Sequence, residues 1–405
     1  MTTTKKKWDL MALATIPLIM TLANSMLIPV LPLMQKELGI TGVQTSLIIT
    51  VYAAISIPFI PLAGFLSDRY GRKKIILIGL TLAALGGLMS GLAAWLMKDH
   101  AYAVIIAGRL LQGIGAAGAF PIVLPFIGDM FKSEEEVSAG LGFVETSNIL
   151  GKVLSPVLGS ALALLIWYLP LLSIPVISAL SIIAIAFMVK SPKQQQQEKV
   201  SLSSFFKSIK ETFAEHGRWL YAIFTIGGMI MFVMFGFLYQ LSSLLEDKYN
   251  IMGIIKGLFL AIPLSAICLA SFIAGKIIGQ SKKRMKWFIV CGITALAVVT
   301  FLCALLNIKA LISLIILLFI GGVGIGLALP SLDALITEGI EKKQRGTVTS
   351  LYSSTRFIGV AGGPLIASLL SDKMTMLFYI FTALGAVSIV VGLFAIKTNQ
   401  TEADR

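Results

Sequence analysis

Charge is scarce in this chain. Only 13% of its 405 residues are Asp, Glu, Lys or Arg, and there are two histidines and three cysteines. With 57% of residues hydrophobic, a water-soluble protein is excluded, because soluble domains keep their apolar share near half or below. Cys268, Cys291 and Cys303 sit inside apolar runs at spacings that fit neither a disulfide framework nor a zinc site. Glycines are plentiful, but they fall inside the apolar runs and not after a strand pattern, so a dinucleotide site is excluded as well. No cofactor, no metal and no enzymatic activity is expected.

What the chain does have is a series of apolar stretches of about 20 residues or more, the length that crosses a hydrocarbon layer of roughly 30 Å. They lie near 10–32, 43–66, 75–97, 102–128, 138–166, 169–189, 219–244, 253–279, 286–306, 310–334, 346–369 and 374–396. An isolated span must satisfy its backbone internally and is therefore helical. The expected fold class is an all-α membrane protein with twelve transmembrane helices in two six-helix halves, 1–190 and 219–405. The first run is too long for the core of a cleaved signal peptide and is expected to stay as the first helix. In the polar segment 191–218, Phe205, Phe206, Ile209 and Phe213 recur at helical spacing against Lys207, Lys210 and Glu211. That pattern fits either a short helix lying on the membrane surface or a solvated linker.

A net charge of +13 raises the question of nucleic acid. The distribution of the 33 basic residues answers it: 24 fall in segments on one side of the membrane and six on the other. By the positive-inside rule both termini are expected in the cytoplasm of a multi-pass protein of the cell membrane, and nucleic acid is not an expected partner.

The two halves echo each other. GIGAAGAFPIVLPFIGD at 113–129 aligns with GVGIGLALPSLDALITE at 322–338, and NILGKVLSP at 148–156 with RFIGVAGGP at 356–364, which pairs Pro156 with Pro364 as expected helix kinks. A duplicated six-helix unit places a binding site near the midplane and points to a carrier rather than a channel. Gly113, Gly115, Gly322 and Gly324 are expected at close helix crossings.

GFLSDRYGRKK at 64–74 sits between two long apolar runs. A loop that obeys only the positive-inside rule needs the bases; Asp68 is additional. Gly71 permits a tight turn, and Arg72, Lys73 and Lys74 are expected at the headgroups of membrane lipid. Here the chain resembles the major facilitator superfamily, whose loop signature is matched at Gly64, Leu66, Asp68, Arg69, Gly71, Arg72 and Lys73. The resemblance implies a latch in which Asp68 and Arg69 hold the two halves together against the start of the eleventh span. RLLQGIGAA at 109–117, ANSMLIPVLP at 23–32 and NILGKVLSPVLGSAL at 148–162 are similar to signatures of the drug:proton antiporters. In the last of these, Ser155 and Ser160 replace glycines and Lys152 is an insertion of charge.

An ionisable group at the centre of a span costs about 2.5–3.5 kcal/mol, so each needs a partner, water or a task. Helical rise puts Asp333, Glu145, Arg356 and Lys152 at roughly 7, 10, 15 and 21 Å from the cytoplasmic ends, which allows one neutral cluster of two acids and two bases. Glu145 is the first candidate for a proton carrier, and a permanent structural ion pair is the competing reading. Arg109, with no acid at its depth, is either a coupling residue, as the resemblance implies, or a side chain reaching outward to headgroups. Gln112, one turn on, is a candidate hydrogen-bond partner, and Asn24, Gln112, Tyr239 and Gln240 are the candidate substrate contacts. The resulting expectation is a proton-coupled exporter of amphipathic or hydrophobic drugs with a small-molecule substrate. A carrier of the same fold for a defined metabolite or lipid-like molecule is the alternative, and a transport-silent membrane sensor is a third reading.

Overall fold

The computed structural model describes residues 3–131, 134–189, 202–279, 281–306, 310–340 and 342–396. Among them the ordered elements are helices: α1 (Thr3–Ser25), a 3-10 turn (Ile28–Val30), α2 (Leu31–Leu38), α3 (Gly42–Tyr70), α4 (Arg72–Leu96), α5 (Ala101–Met130), α6 (Glu134–Leu165), α7 (Leu169–Met188), α8 (Leu202–Asp247), α9 (Gly253–Ile278), α10 (Lys282–Leu305), α11 (Leu311–Gly339), α12 (Lys342–Leu369) and α13 (Met374–Ala395). The first span is divided by Pro29 and Pro32, which enter the 3-10 turn and the first turn of α2, where a missing N–H is tolerated.

Among the described residues eleven helices are long and apolar enough to cross a membrane, with α1 and α2 counted as one, and α12 is a twelfth helix beside them. The exception has a local cause. TSLYSSTR at 349–356 lowers the apolarity of α12, yet Ser350, Ser354 and Thr355 turn their hydroxyls back onto the carbonyls of Thr347, Ser350 and Leu351. Polar side chains that satisfy themselves in this way are tolerated in a span. Large apolar side chains such as Leu165, Phe187 and Ile312 stand 75%, 86% and 73% exposed, as lipid-facing residues must.

Contacts group the chain into two units, Met1–Phe205 with Leu238–Ala261, and Phe206–Phe237 with Ile262–Arg405. In the first unit α4 packs on α5 and α7, α3 on α5, and α1 on α6 and α7. In the second, α10 packs on α11 and α13. Glycines mark corresponding crossings in both. A Cβ at Gly79 or Gly115 would collide with the backbone of the other, and Gly292 and Gly324 repeat the relation between α10 and α11. Gly113 lies against the Tyr52 carbonyl and Gly322 against that of Pro263; Gly151 against Leu18 and Gly359 against Gly228. Without a hydrophobic drive between helices in lipid, such backbone approach is a main source of association.

α8 runs unbroken for 46 residues, so residues 202–218 continue the seventh span and do not form a separate surface helix. Phe213 packs on Tyr221 and Phe224, with ring centroids 5.0 and 5.6 Å apart. Residues 191–201, and the side chains of Phe205, Phe206, Lys207 and Ile209 on which the surface-helix expectation rested, lie outside the described residues.

Candidate functional site

The loop at 64–74 builds from its glycine. Gly71 adopts φ 101°, which a side chain would resist, and is the one residue between the end of α3 at Tyr70 and the start of α4 at Arg72. Ser67 donates to the Gly64 carbonyl at 2.7 Å as α3 closes. At the first residue of α4, Arg72 meets Asp68 at 3.3 Å and bridges through Nε to Asp129 at the end of α5. Arg69 lies over the Tyr70 ring at 5.5 Å. Lys73 donates to the carbonyls of Ala186 and Val189 at 2.9 and 2.6 Å, capping α7. Of the three bases expected at lipid headgroups, Arg72 and Lys73 are therefore committed to protein partners. Lys286 repeats the device in the second unit, donating to the Leu393 carbonyl of α13 at 2.8 Å. A base at a carbonyl-rich helix end is favourable both as a hydrogen bond and against the helix dipole.

Arg109 is fully buried, which removes the reading of a side chain reaching headgroups. It donates through Nε to the Ile48 carbonyl at 2.8 Å, through one terminal nitrogen to Gln112 Oε1 at 2.6 Å, and through the other to Asn24 Oδ1 at 2.8 Å. The Tyr52 ring covers its face at 4.4 Å. A rigid fork of donors thus joins α1, α3 and α5. Asn24 and Gln112, expected as substrate contacts, are its acceptors here.

In α6, Asn148 accepts from Thr21 of α1 at 2.6 Å and donates to the Glu145 carboxylate at 3.1 and 3.2 Å. In the second unit Arg356 meets Asp333 at 3.4 Å and lies over the Tyr352 ring at 5.5 Å. Each of these acids thus has a partner in its own unit. Pro156 and Pro364 lie within α6 and α12, so the carbonyls of Lys152 and Val360 lose their helical N–H partner. Tyr239 donates to the Gly42 carbonyl at 3.1 Å, and the neighbouring Gln240 is buried with Oε1 unbonded.

One cluster escaped the sequence reading. Glu246, 5% exposed at the end of α8, accepts from Lys36 of α2 at 2.9 Å and from Lys256 of α9 at 2.8 Å. Lys256 is 2% exposed. Lys36 and Lys256 are two of the six basic residues on the sparsely charged side of the sequence. Lys36 and Glu246 lie just past the apolar runs that end near 32 and 244, because α2 and α8 continue beyond them, while Lys256 lies in the first turn of α9. An acid placed just before the break between α8 and α9 was the available signal.

Twelve spans, duplicated crossings and polar groups held inside the helices define a membrane transporter. The family model of the Major Facilitator Superfamily matches residues 13–364 and 283–405, and the chain belongs to that superfamily. It is 50% identical over 399 residues to the "Bacillibactin exporter" of Bacillus subtilis (strain 168), covering 98% of each chain. The "Multidrug resistance protein 2" of the same organism is 24% identical, with 91% of this chain and 90% of that one covered. The "Quinolone resistance protein NorA" of Staphylococcus aureus is 25% identical, with 87% of each covered. Among solved structures, the human organic anion transporter MFSD10 (TETRAN) superposes with a TM-score of 0.71 at 18% identity, over 95% of this chain and 99% of that one.

Proposed function

We propose that the protein exports one defined metabolite across the cell membrane by alternating access, driven by the proton gradient. The observation that carries the reading is the 50% identity, across 98% of both chains, to an exporter named for a single compound. The sequence alone placed broad drug efflux first. That reading draws on relatives of 24–25% identity and takes second place.

In this proposal both termini are cytoplasmic, the halves divide at residues 191–218, and the loop bearing Asp68 and Arg69 meets the start of α12 when the cytoplasmic side is shut. Glu145 carries the proton, with Asn148 holding its carboxylate. The positive charge of Lys152 on the same helix favours proton release, and Asp333, paired with Arg356, and Arg109 are the further coupling candidates. Deleting the gene and measuring secreted compounds tests the substrate. One metabolite should disappear from the medium and accumulate inside, with susceptibility to unrelated antibiotics and dyes unchanged. Hypersensitivity to many unrelated compounds with normal secretion would reject the metabolite reading in favour of drug efflux.

A further inference from the structure

Arg109, Asn24 and Gln112 admit one orientation of the two amides. A guanidinium has only donors, so the atoms facing it must be the oxygens of Asn24 and Gln112. Each amide NH2 is consequently turned away from the cation. For Gln112, which is 1% exposed, this Nε2 is buried with no hydrogen-bond partner. The remaining neighbours of Arg109 are a carbonyl and a ring face, and no described carboxylate lies within ion-pair distance of it. The node therefore has one positive charge too many and one N–H acceptor too few. Both deficits are met by the same chemical group, an anionic oxygen.

We propose that Arg109, Asn24 and Gln112 form an anion-selecting subsite, in which a carboxylate or phenolate oxygen of the transported compound accepts from Gln112 Nε2. The buried guanidinium behind the amide supplies the charge preference. It also fixes the amide so that a donor, and never the carbonyl, faces the ligand. Fixing the donor in advance removes the reorganisation that binding would otherwise require. This assignment rests on the exporter reading and deepens it by naming the charge class of the substrate. Gln112 is buried in this conformation, so the assignment requires the alternating-access cycle to uncover the donor.

The test is equilibrium binding to the purified full-length protein in nanodiscs, without any gradient, using salicylate and its neutral analogue salicylamide. Salicylate should bind about tenfold more tightly, the discrimination that one charge-assisted hydrogen bond provides. Gln112→Glu gives Arg109 an internal partner, and Gln112→Met removes the donor while keeping the side-chain length. Each should bring the two ligands to near-equal affinity. Should a variant fail to fold, the side-chain amide signal of Gln112 in selectively labelled wild-type protein decides: it should shift with salicylate and stay in place with salicylamide. Equal binding of both ligands to the wild type would overturn the subsite, as would a preference that survives both substitutions or an unmoved amide signal. Because no transport is measured, proton-driven export with no anion preference would reject this inference alone, whereas anion preference without export would reject the functional reading alone.

Discussion

At the scale of the residue, glycine is the residue whose position can be tested most cleanly. A Cβ at Gly115 would meet the backbone of Gly79 and Ala83, and one at Gly324 that of Gly292 and Leu296, whereas around Gly128 there is nothing within 4 Å. Backbone atoms in a helix crossing do not yield as a flexible side chain would. Gly115→Val and Gly324→Val should each destabilise the protein by about 1–3 kcal/mol, the range for overpacking a filled interior. Gly128→Ala should leave stability unchanged or raise it by about 0.5–1 kcal/mol, since alanine loses less backbone freedom in a helix. Thermal unfolding in detergent compares the three. Similar losses at all three positions would mean that the crossings are not the sites of closest approach.

At the scale of the element, the ends of α2, α8 and α9 meet at Glu246. Lys256 is buried with Glu246, while the Lys36 side chain is 54% exposed and keeps much of its hydration. The three positions are therefore unequal. Glu246→Gln leaves a buried cation without its counter-ion and should cost about 3–5 kcal/mol. Lys36→Met retains the buried pair and should cost no more than about 1 kcal/mol, as for an exposed ion pair. Combining Glu246→Gln with Lys256→Met should recover much of the loss, because both buried charges go together. Unfolding midpoints of the single and double variants give the coupling directly; strictly additive losses would contradict the pairing.

At the scale of the whole molecule, much of the fold was legible in the sequence. Length and apolarity are enough to mark a span, and a duplicated pattern such as Gly113 with Gly322 marks a repeat. Helix ends were less legible: α8 continues through the charged residues 207–218, because helix formation there needs no apolarity. The site was only half legible. Arg109 and Gln112 are one turn apart and their contact follows from spacing. The contribution of Asn24, and the meeting of Lys36 with Glu246 and Lys256, depend on which helices become neighbours, and local spacing carries no record of that. The substrate was least legible, since the loop and span motifs are shared by carriers of different compounds.

In the proposed cycle the chain couples the movement of one metabolite to protons through Glu145. The most direct measurement of this coupling is accumulation of that metabolite in proteoliposomes under an imposed pH gradient, with wild-type protein and Glu145→Gln side by side, and a panel of dyes and antibiotics as comparison. Wild-type vesicles should concentrate the metabolite, reversing the gradient should reverse the direction, and the panel compounds should not be concentrated. The Gln variant should exchange the metabolite downhill at a similar rate and fail to concentrate it. Accumulation that ignores the gradient, or a Gln variant that still concentrates the metabolite, would contradict this coupling.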